Sequence, residues 1–408
     1  MKINYLVRSF PNKTETFIVH HVKYLINQNL LNSFFTKSLK KDYDAFDGIL
    51  NELKNNLVEY PVVKNNKDRL QYLINVLKSP AKLNVWLRYI LKNKKVKFKT
   101  LYDICYYSEL EENQIIHVQF NTSLDDLKDL TKLGLFKNLK VIVTFHGYDA
   151  FRLSPNLYLR EYEWFYRHHV NFITVNSNYL KNHLINVGVS DEKIKIIPVG
   201  ININQNLANF KKRRERNNTL KLISVGRLIQ LKGHEYGIKA VADLKNRGIE
   251  VEYIIVGSGL ASYEDYLKSL ITKLGCESEI RMLGHKNQKE ITALFSNNDI
   301  FLMPSTYDNN TFRREALGLA AIEAQAYGLP VVGFNTGGLN EAVSNGKSGI
   351  LVEDRNVNAL VLAILKLFND KSVYQNFSEN ARKYVFENFE NAVIFEKYTK
   401  LYKACYDS

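Results

Sequence analysis

The stretch Glu315-Ala-Leu-Gly-Leu-Ala-Ala-Ile-Glu323, continued by Ala-Gln-Ala-Tyr-Gly-Leu-Pro330-Val-Val-Gly333 and then by Asn335-Thr-Gly-Gly-Leu-Asn-Glu341, decides how the rest of the chain is read. Its Ala-rich run has helical character, with Gly318 at the start and Gly328-Leu-Pro330 as the stop signal. A helix that opens at a glycine leaves its first backbone N–H groups, those of Gly318, Leu319 and Ala320, without partners. They lie at the positive end of the helix dipole and form a ready anion site, suited to a phosphate. Glu315 precedes the helix and Glu323 stands more than a turn inside it, so the two carboxylates flank the anion. Anions beside a phosphate make sense where they accept hydrogen bonds from hydroxyls, and sugar hydroxyls are the natural candidates.

Working outward, 408 residues suffice for about two or three domains. With 45% hydrophobic and 24% charged residues the chain can bury a large core, which excludes a disordered protein. No run of 18 apolar residues occurs, and Met1-Lys-Ile-Asn-Tyr-Leu-Val-Arg8 reads as a first strand and not a signal peptide, so a cytoplasmic protein is expected. Cys105, Cys276 and Cys405 lack any C-x-x-C pairing, which indicates neither a disulfide framework nor a zinc site. The formal net charge of +14 points to an acidic partner.

Strand-loop-helix units recur in both halves and imply an α/β protein of two doubly wound domains facing each other across a cleft. The first unit runs from residues 3 to 7 through a polar loop containing Thr14, Glu15 and Thr16 into a helix over about 16–29. Ile115-Ile-His117-Val-Gln-Phe and Val141-Ile-Val-Thr-Phe-His146-Gly-Tyr-Asp149 are further strands with polar ends. His20, His21, His168 and His169 have no carboxylate at metal-ligand spacing and are read as surface or packing residues. Residues 204–218, with Lys211-Lys-Arg-Arg-Glu-Arg-Asn217, lack apolar periodicity and read as a linker between a first domain over 1–203 and a second over 219–387.

The second domain opens with Leu220-Lys-Leu-Ile-Ser-Val-Gly226-Arg227 and reaches Lys232-Gly233 within the same turn. Arg and Lys five apart can close on one anion, the Arg fork bidentate and the Lys as a point charge. Gly257-Ser-Gly259 follows a strand but lacks the third glycine of a dinucleotide fingerprint, so these glycines shape the crevice instead. From Lys78 to Lys99 eight basic residues and no acid are interleaved with Leu83, Trp86, Leu87, Tyr89, Ile90 and Leu91. Two readings stay open: a membrane-surface helix anchored by Trp86, or a helix packed on the sheet with solvated lysines. Nucleic acid is not expected, because no recognised module accompanies the charge.

The two Glu separated by seven residues, with Gly-Leu between them and Glu-Ala-x-Ala-x-Gly-x-Pro-Val-Val after, resemble the donor-site signature of retaining glycosyltransferases of family 4, of the kind that build bacterial exopolysaccharide, capsule and O-antigen. The resemblance covers most of the chain and implies the two-domain GT-B fold. It places Arg227 and Lys232 (Gly-Arg-x-x-x-x-Lys-Gly) on the diphosphate of a nucleotide-sugar donor, with Glu323 on the ribose and Glu315 on the sugar ring. Thr-x-His-Gly-x-Asp implies that His146 faces the donor sugar, and the turn at Gly284 lies beside the base. Phe10-Pro-x-x-Thr-Glu-Thr-Phe-Ile resembles the opening of the exopolysaccharide enzymes; without a Gly pair, the loop with Thr14, Glu15 and Thr16 is assigned to the acceptor. In this architecture the last helix, from about residue 388, packs back on the first domain.

The expected function is retaining hexosyl transfer from a UDP-sugar, with GDP-sugar as the other donor, to a glycan or lipid-linked glycan. No metal or other cofactor is expected, because Arg227, Lys232 and the helix start meet the diphosphate charge. A sugar-nucleotide epimerase or phosphorylase of the same fold, and a non-catalytic membrane adaptor, are the alternatives.

Overall fold

A computed structural model describes residues 1–12, 15–40, 48–203, 219–309, 311 and 313–408. The expected linker, 204–218, and Thr14 lie outside the described residues. The chain divides into two compact units. Unit 1 comprises Met1–Asn176, Leu180–Ile197 and Phe395–Ser408, and unit 2 comprises Ser177–Tyr179 and Pro198–Ile394. The first unit thus closes at Ile197 and resumes at Phe395, where the sequence placed the boundaries at 203 and 388. The two segments bond to each other, Ile201 donating to Phe389 at 2.8 Å and Asn391 to Ile201 at 3.0 Å, and Ile201 and Phe389 are buried in a core of unit 2.

Unit 1 holds seven strands: β1 (Ile3–Phe10), β2 (Leu31–Leu39), β3 (Leu57–Glu59), β4 (Ile115–Gln119), β5 (Lys140–Phe145), β6 (Val170–Val175) and β7 (Ile194–Ile196). They form one sheet in the order β3-β2-β1-β4-β5-β6-β7, every pairing parallel. Unit 2 holds β8 (Leu220–Val225), β9 (Val251–Val256), β10 (Ile280–Met282), β11 (Ile300–Met303), β12 (Val331–Phe334) and β13 (Gly349–Val352), ordered β10-β9-β8-β11-β12-β13 and again parallel throughout. Both are doubly wound Rossmann-like α/β units, as the repeated strand-loop-helix pattern implies. Strand order reverses between β1 and β4 in one sheet and between β8 and β11 in the other, and at such a reversal the loops leaving the strand ends diverge.

Successive side chains of a strand face opposite ways, so each central strand feeds two cores. In unit 2, Leu222, Tyr253, Leu302 and Val332 pack under the helices His234–Asn246 and Val357–Asn369. Ile223, Ile254, Phe301 and Val331 pack on the other face against the helices Leu319–Ala326 and Lys371–Phe389. Unit 1 repeats the scheme with one change. Val118, Val143 and Ile173 feed an apolar core, whereas the opposite face presents the buried polar side chains of His117, Gln119, Thr144 and Thr174.

The basic segment 78–99 is a helix over Pro80–Asn93, stopped by Lys94 in the left-handed conformation (φ 50°), followed by a turn into the helix Phe98–Tyr107. Trp86 is not its outward anchor. It is half-buried and packs against the core of unit 1; the outward apolar residues are Leu87 and Leu91, the latter 77% exposed. Among the described residues no helix is long and apolar enough to cross a membrane.

Candidate active site

In unit 2 the residues singled out by sequence gather at the C-terminal ends of β8 and β11, on either side of the strand-order reversal. Arg227 follows β8 by one residue past Gly226; its side chain is exposed and meets no carboxylate among the described residues. Its carbonyl accepts from Nε2 of buried His234 at 3.3 Å, and burial lowers that imidazole to about 4, so it stays neutral. Lys232 reaches across to β11, its stem lying along Gly226. Its ammonium pairs with Glu315 Oε2 at 2.6 Å, and Ser305 Oγ donates to the same oxygen at 3.4 Å. Both members of the ion pair keep less than a fifth of their side-chain exposure, so it is screened less than a surface pair.

One tight backbone approach and two backbone hydrogen bonds set this geometry. A Cβ at Gly257 would stand 1.8 Å from the Gly226 carbonyl oxygen, and φ of +144° already favours glycine there. The Gly257 amide donates to Gly284 at 2.9 Å, which lines up the ends of β8, β9 and β10. Gly257, expected beside the donor, therefore has a packing function, whereas a Cβ at Gly284 would meet nothing within 4 Å and only its positive φ of +66° favours glycine there. At the other end Glu315 is held through its backbone, its carbonyl accepting from Gly338 at 2.8 Å.

Gly318 caps the helix Leu319–Ala326 with φ of +100°. Its carbonyl takes the first hydrogen bonds of the helix, from Ala321 and Ile322, so the amides of Leu319 and Ala320 stand outside the helical ladder. Glu323, one turn further in, is half-buried. Burial pushes its carboxyl up to about 7, against the opposing pull of a hydrogen bond to Gln288. Gln288 and His234 contribute to the arrangement without any signal in the sequence, since each acts only through a partner brought near by folding.

In unit 1, Glu15, Thr16, Gln119, Phe120 and His146 cluster at the ends of β1, β4 and β5, again about the reversal. Glu15 accepts from Asn12 Nδ2 at 2.8 Å, and burial raises its carboxyl. His146 donates from Nε2 to Gln119 Oε1 at 2.7 Å, and its ring centroid lies 4.6 Å from those of both Phe17 and Phe120. Phe120 has φ of +65°, a strained backbone for an aromatic residue and of a kind that concentrates at functional sites. Burial holds the imidazole of His146 at about 3. Of the two readings of His21 from sequence, surface or packing, the structure shows packing: it is buried and also joins a polar network, its Nε2 meeting the Tyr402 hydroxyl at 2.9 Å.

The sequence family described as Glycosyl transferases group 1 matches residues 205–384, and Glycosyltransferase Family 4 matches residues 78–205. A Salmonella typhimurium protein named for colanic acid biosynthesis as a glycosyltransferase is 30% identical over 267 residues, 65% of this chain; the match spans only 64% of that relative's own length. An amylovoran biosynthesis glycosyltransferase of Erwinia amylovora is 27% identical over 90% of both chains. Among solved structures, that of Anabaena HepE in complex with UDP superposes with a TM-score of 0.72 at 20% identity, covering 99% of this chain and all of the other.

The buried imidazoles make stability depend on pH. Burial holds His21 at about 3 and His117 well below its ordinary value, while an unfolded histidine takes up its proton near 6.5. As pH falls below about 6.5 the unfolded state binds more protons, so stability present at neutral pH is lost progressively; at pH 5 each such ring accounts for up to about 2 kcal/mol. The denaturation midpoint is expected to drop between pH 7 and pH 5, and His21→Phe to reduce that drop. Parallel pH profiles for the two proteins would contradict a neutral His21.

Proposed function

The chain belongs to the group 1, family 4 glycosyltransferases, and on that premise we propose that it transfers a hexose from a nucleoside diphosphate sugar, UDP-linked in preference to GDP-linked, with retention of anomeric configuration. The acceptor is a glycan or lipid-linked glycan of surface polysaccharide biosynthesis. One observation carries the reading: Lys232 and Glu315, 83 residues apart in sequence, meet at 2.6 Å near the start of a helix whose first amides lie outside its ladder. A cation, a carboxylate and free N–H donors at one strand-order reversal suit a ligand that is both phosphate and polyol.

In this reading Arg227, Lys232 and the amides of Leu319 and Ala320 take the diphosphate. Negative charge grows on the diphosphate as the glycosidic bond breaks, so donors aimed at it lower the barrier, each by roughly 2–4 kcal/mol in comparable sites. Glu315 steadies Lys232 and accepts from sugar hydroxyls, and Glu323 accepts from the ribose. His146, with Glu15 and Thr16, contributes substrate contacts from unit 1. No metal or other cofactor is required, because the protein's cations balance the departing charge.

The chain's charge suits attachment at an anionic membrane surface on the cytoplasmic side. Between Lys64 and Lys99 stand eleven Lys or Arg and one acid, Asp68, so most of the formal +14 is concentrated there. The helices over Asn66–Leu77 and Pro80–Asn93 also expose Leu70, Ile74, Leu77, Leu87 and Leu91. Arg88 and Lys99 turn to partners, Leu133 O and the carboxylates of Asp103 and Asp126, which leaves Lys92, Lys94, Lys95 and Lys97 outward. Each cation contributes about 1 kcal/mol near such a surface, and the leucines add apolar insertion in place of Trp86.

Three measurements check this reading. Ribose hydroxyls need an ionised acceptor, so UDP affinity measured by calorimetry should rise up to about tenfold from pH 6 to pH 8 as Glu323 ionises. Glu323→Gln should bind UDP more weakly and lose that component of the slope, whereas Glu315→Ala should spare UDP binding and depress UDP release from UDP-glucose. An unchanged slope in Glu323→Gln removes the ribose assignment. Turnover should survive EDTA; loss that Mg²⁺ or Mn²⁺ restores would show a metal requirement. The protein should sediment with vesicles containing anionic lipid at low salt and dissociate at high salt. A variant with Lys92, Lys94, Lys95 and Lys97 changed to Gln should stay in the supernatant, and equal binding by that variant would assign the segment to solvent.

A further inference from the structure

The turn that leaves β13 carries an arginine where the backbone suits glycine. Asn356 closes the turn by donating its N–H to the Glu353 carbonyl at 3.2 Å, and then opens the helix Val357–Asn369 by accepting from the Ala359 N–H at 2.9 Å. Arg355, the third residue of this turn, has φ of +63°. That is the left-handed region, open to glycine and avoided by residues that carry a Cβ. Among the described residues of unit 2 no other non-glycine residue has positive φ. Strain of this kind persists where the surrounding structure over-determines it.

Here the loop that leaves β11 does so. Arg355 donates from Nε to Thr306 Oγ1 at 3.0 Å, and from Nη2 to the Tyr307 carbonyl at 2.8 Å and to Asn309 Oδ1 at 3.2 Å. A guanidinium only donates, so the Thr306 oxygen accepts and its own proton is left for a carboxylate. That carboxylate is the neighbour of Arg355: the hydroxyl donates to Asp354 Oδ1 at 2.6 Å. One hydroxyl is thus gripped from two sides by successive residues, and each bond is assisted by a charge. Thr306 itself is 1% exposed.

The gripped loop is the wall on which Lys232 and Glu315 take their places. A Cβ on Gly233, the residue after Lys232, would stand 1.9 Å from the Pro304 carbonyl oxygen. The Thr306 N–H donates at 2.9 Å to the carbonyl of Leu231, the residue before Lys232. Between these two, Ser305 Oγ donates to Glu315 Oε2 at 3.4 Å, and the Ser305 carbonyl accepts from Thr336 Oγ1 at 2.7 Å. The run from Pro304 to Thr306 therefore brackets the main chain of Lys232 and touches the carboxylate of its partner.

We propose that Asp354 and Arg355 are positioning residues for the Lys232–Glu315 pair: by clamping Thr306 they fix the loop against which both partners are registered. The strained turn after β13 is held by the same bonds. The inference rests on the reading of Lys232 and Glu315 as donor contacts, and it extends the machinery of that site to a turn that no motif marks.

Arg355→Gly in the full chain separates this from a general structural role. Glycine takes the turn without strain, so the variant should melt within a few degrees of the unsubstituted protein. Its kcat for UDP release from UDP-glucose, water serving as acceptor, should fall about tenfold. UDP affinity measured by calorimetry should fall less than about threefold, because Arg227 and the helix amides still hold the diphosphate. Thr306→Val removes the gripped hydroxyl at similar volume and should give the same split, and the double variant should be no worse than either single one. Thr306→Ser returns the hydroxyl and should recover most of the turnover. Hydrogen exchange of segments 229–233 and 304–309 should quicken in both Arg355→Gly and Thr306→Val. Full turnover in either variant, or unchanged exchange in both segments, overturns the proposal. So does a loss in Arg355→Gly that adds to the loss in Thr306→Val, which would mark Arg355 as a direct ligand contact. An unsubstituted protein that releases no UDP would instead refute the donor reading, and the exchange of the two segments would still decide whether the clamp holds the loop.

Discussion

A parallel sheet with helices over both faces leaves one place for chemistry, the edge where its strands end, and both sheets of this protein are parallel from first strand to last. Everything proposed for the site follows from that constraint. The reversal of order between β8 and β11 is where Arg227, Lys232 and Glu315 come together, and the reversal between β1 and β4 is where Glu15, Gln119 and His146 do. The strand ends are brought to register by backbone contact too close for any side chain. The Gly226 carbonyl against Gly257 leaves no room for a Cβ, and that approach lets two turns share one crevice.

Charge in unit 2 is arranged so that the site is stable before a ligand arrives. Lys232 is half-buried and would be poorly solvated alone; Glu315 at 2.6 Å neutralises it while leaving further ammonium protons to point elsewhere. Arg227, by contrast, is exposed and is stabilised by water. Glu323 takes a third course, holding its proton up to about pH 7 because burial disfavours its anion. A carboxyl that ionises near neutrality can exchange a proton for ligand hydroxyl bonds with little free-energy change. The three groups thus differ in how each tolerates the interval between ligands.

Unit 1 meets its polar burden differently. A sheet face that could have been wholly apolar carries His117, Gln119, Thr144 and Thr174, all buried. Such groups are tolerated only where every donor finds an acceptor, and the Thr144 and Thr174 hydroxyls, 2.6 Å apart, extend the satisfaction sideways from His117. A network satisfied to this degree specifies one arrangement of the covering helices, because displacing Tyr402 would strand His117 and His21 at once. Tyr24, whose hydroxyl meets Thr399 at 2.5 Å, adds a second polar tie between the same two helices.

The amino-acid sequence by itself determined the strand-turn-helix repeats, the two doubly wound halves, and the run from Glu315 to Glu341 with its glycine-started helix. These are local properties. Hydrophobic spacing, cap residues and glycine positions act within one or two turns or strands, so they are legible along the chain. The carbonyl-to-amide bond joining Glu315 to Gly338, the inward turn of Trp86, the pairing of Lys232 with Glu315 and the contacts of Tyr402 with His117 and His21 were decided only by tertiary structure. His20 and His21 looked alike in sequence, yet His21 lies on the helix face that meets Tyr402 and His117. Which histidine is buried depends on how the helix Thr16–Asn27 is rotated over the sheet. That rotation is set by contacts with residues nearly the whole chain away, and no spacing within the helix encodes them.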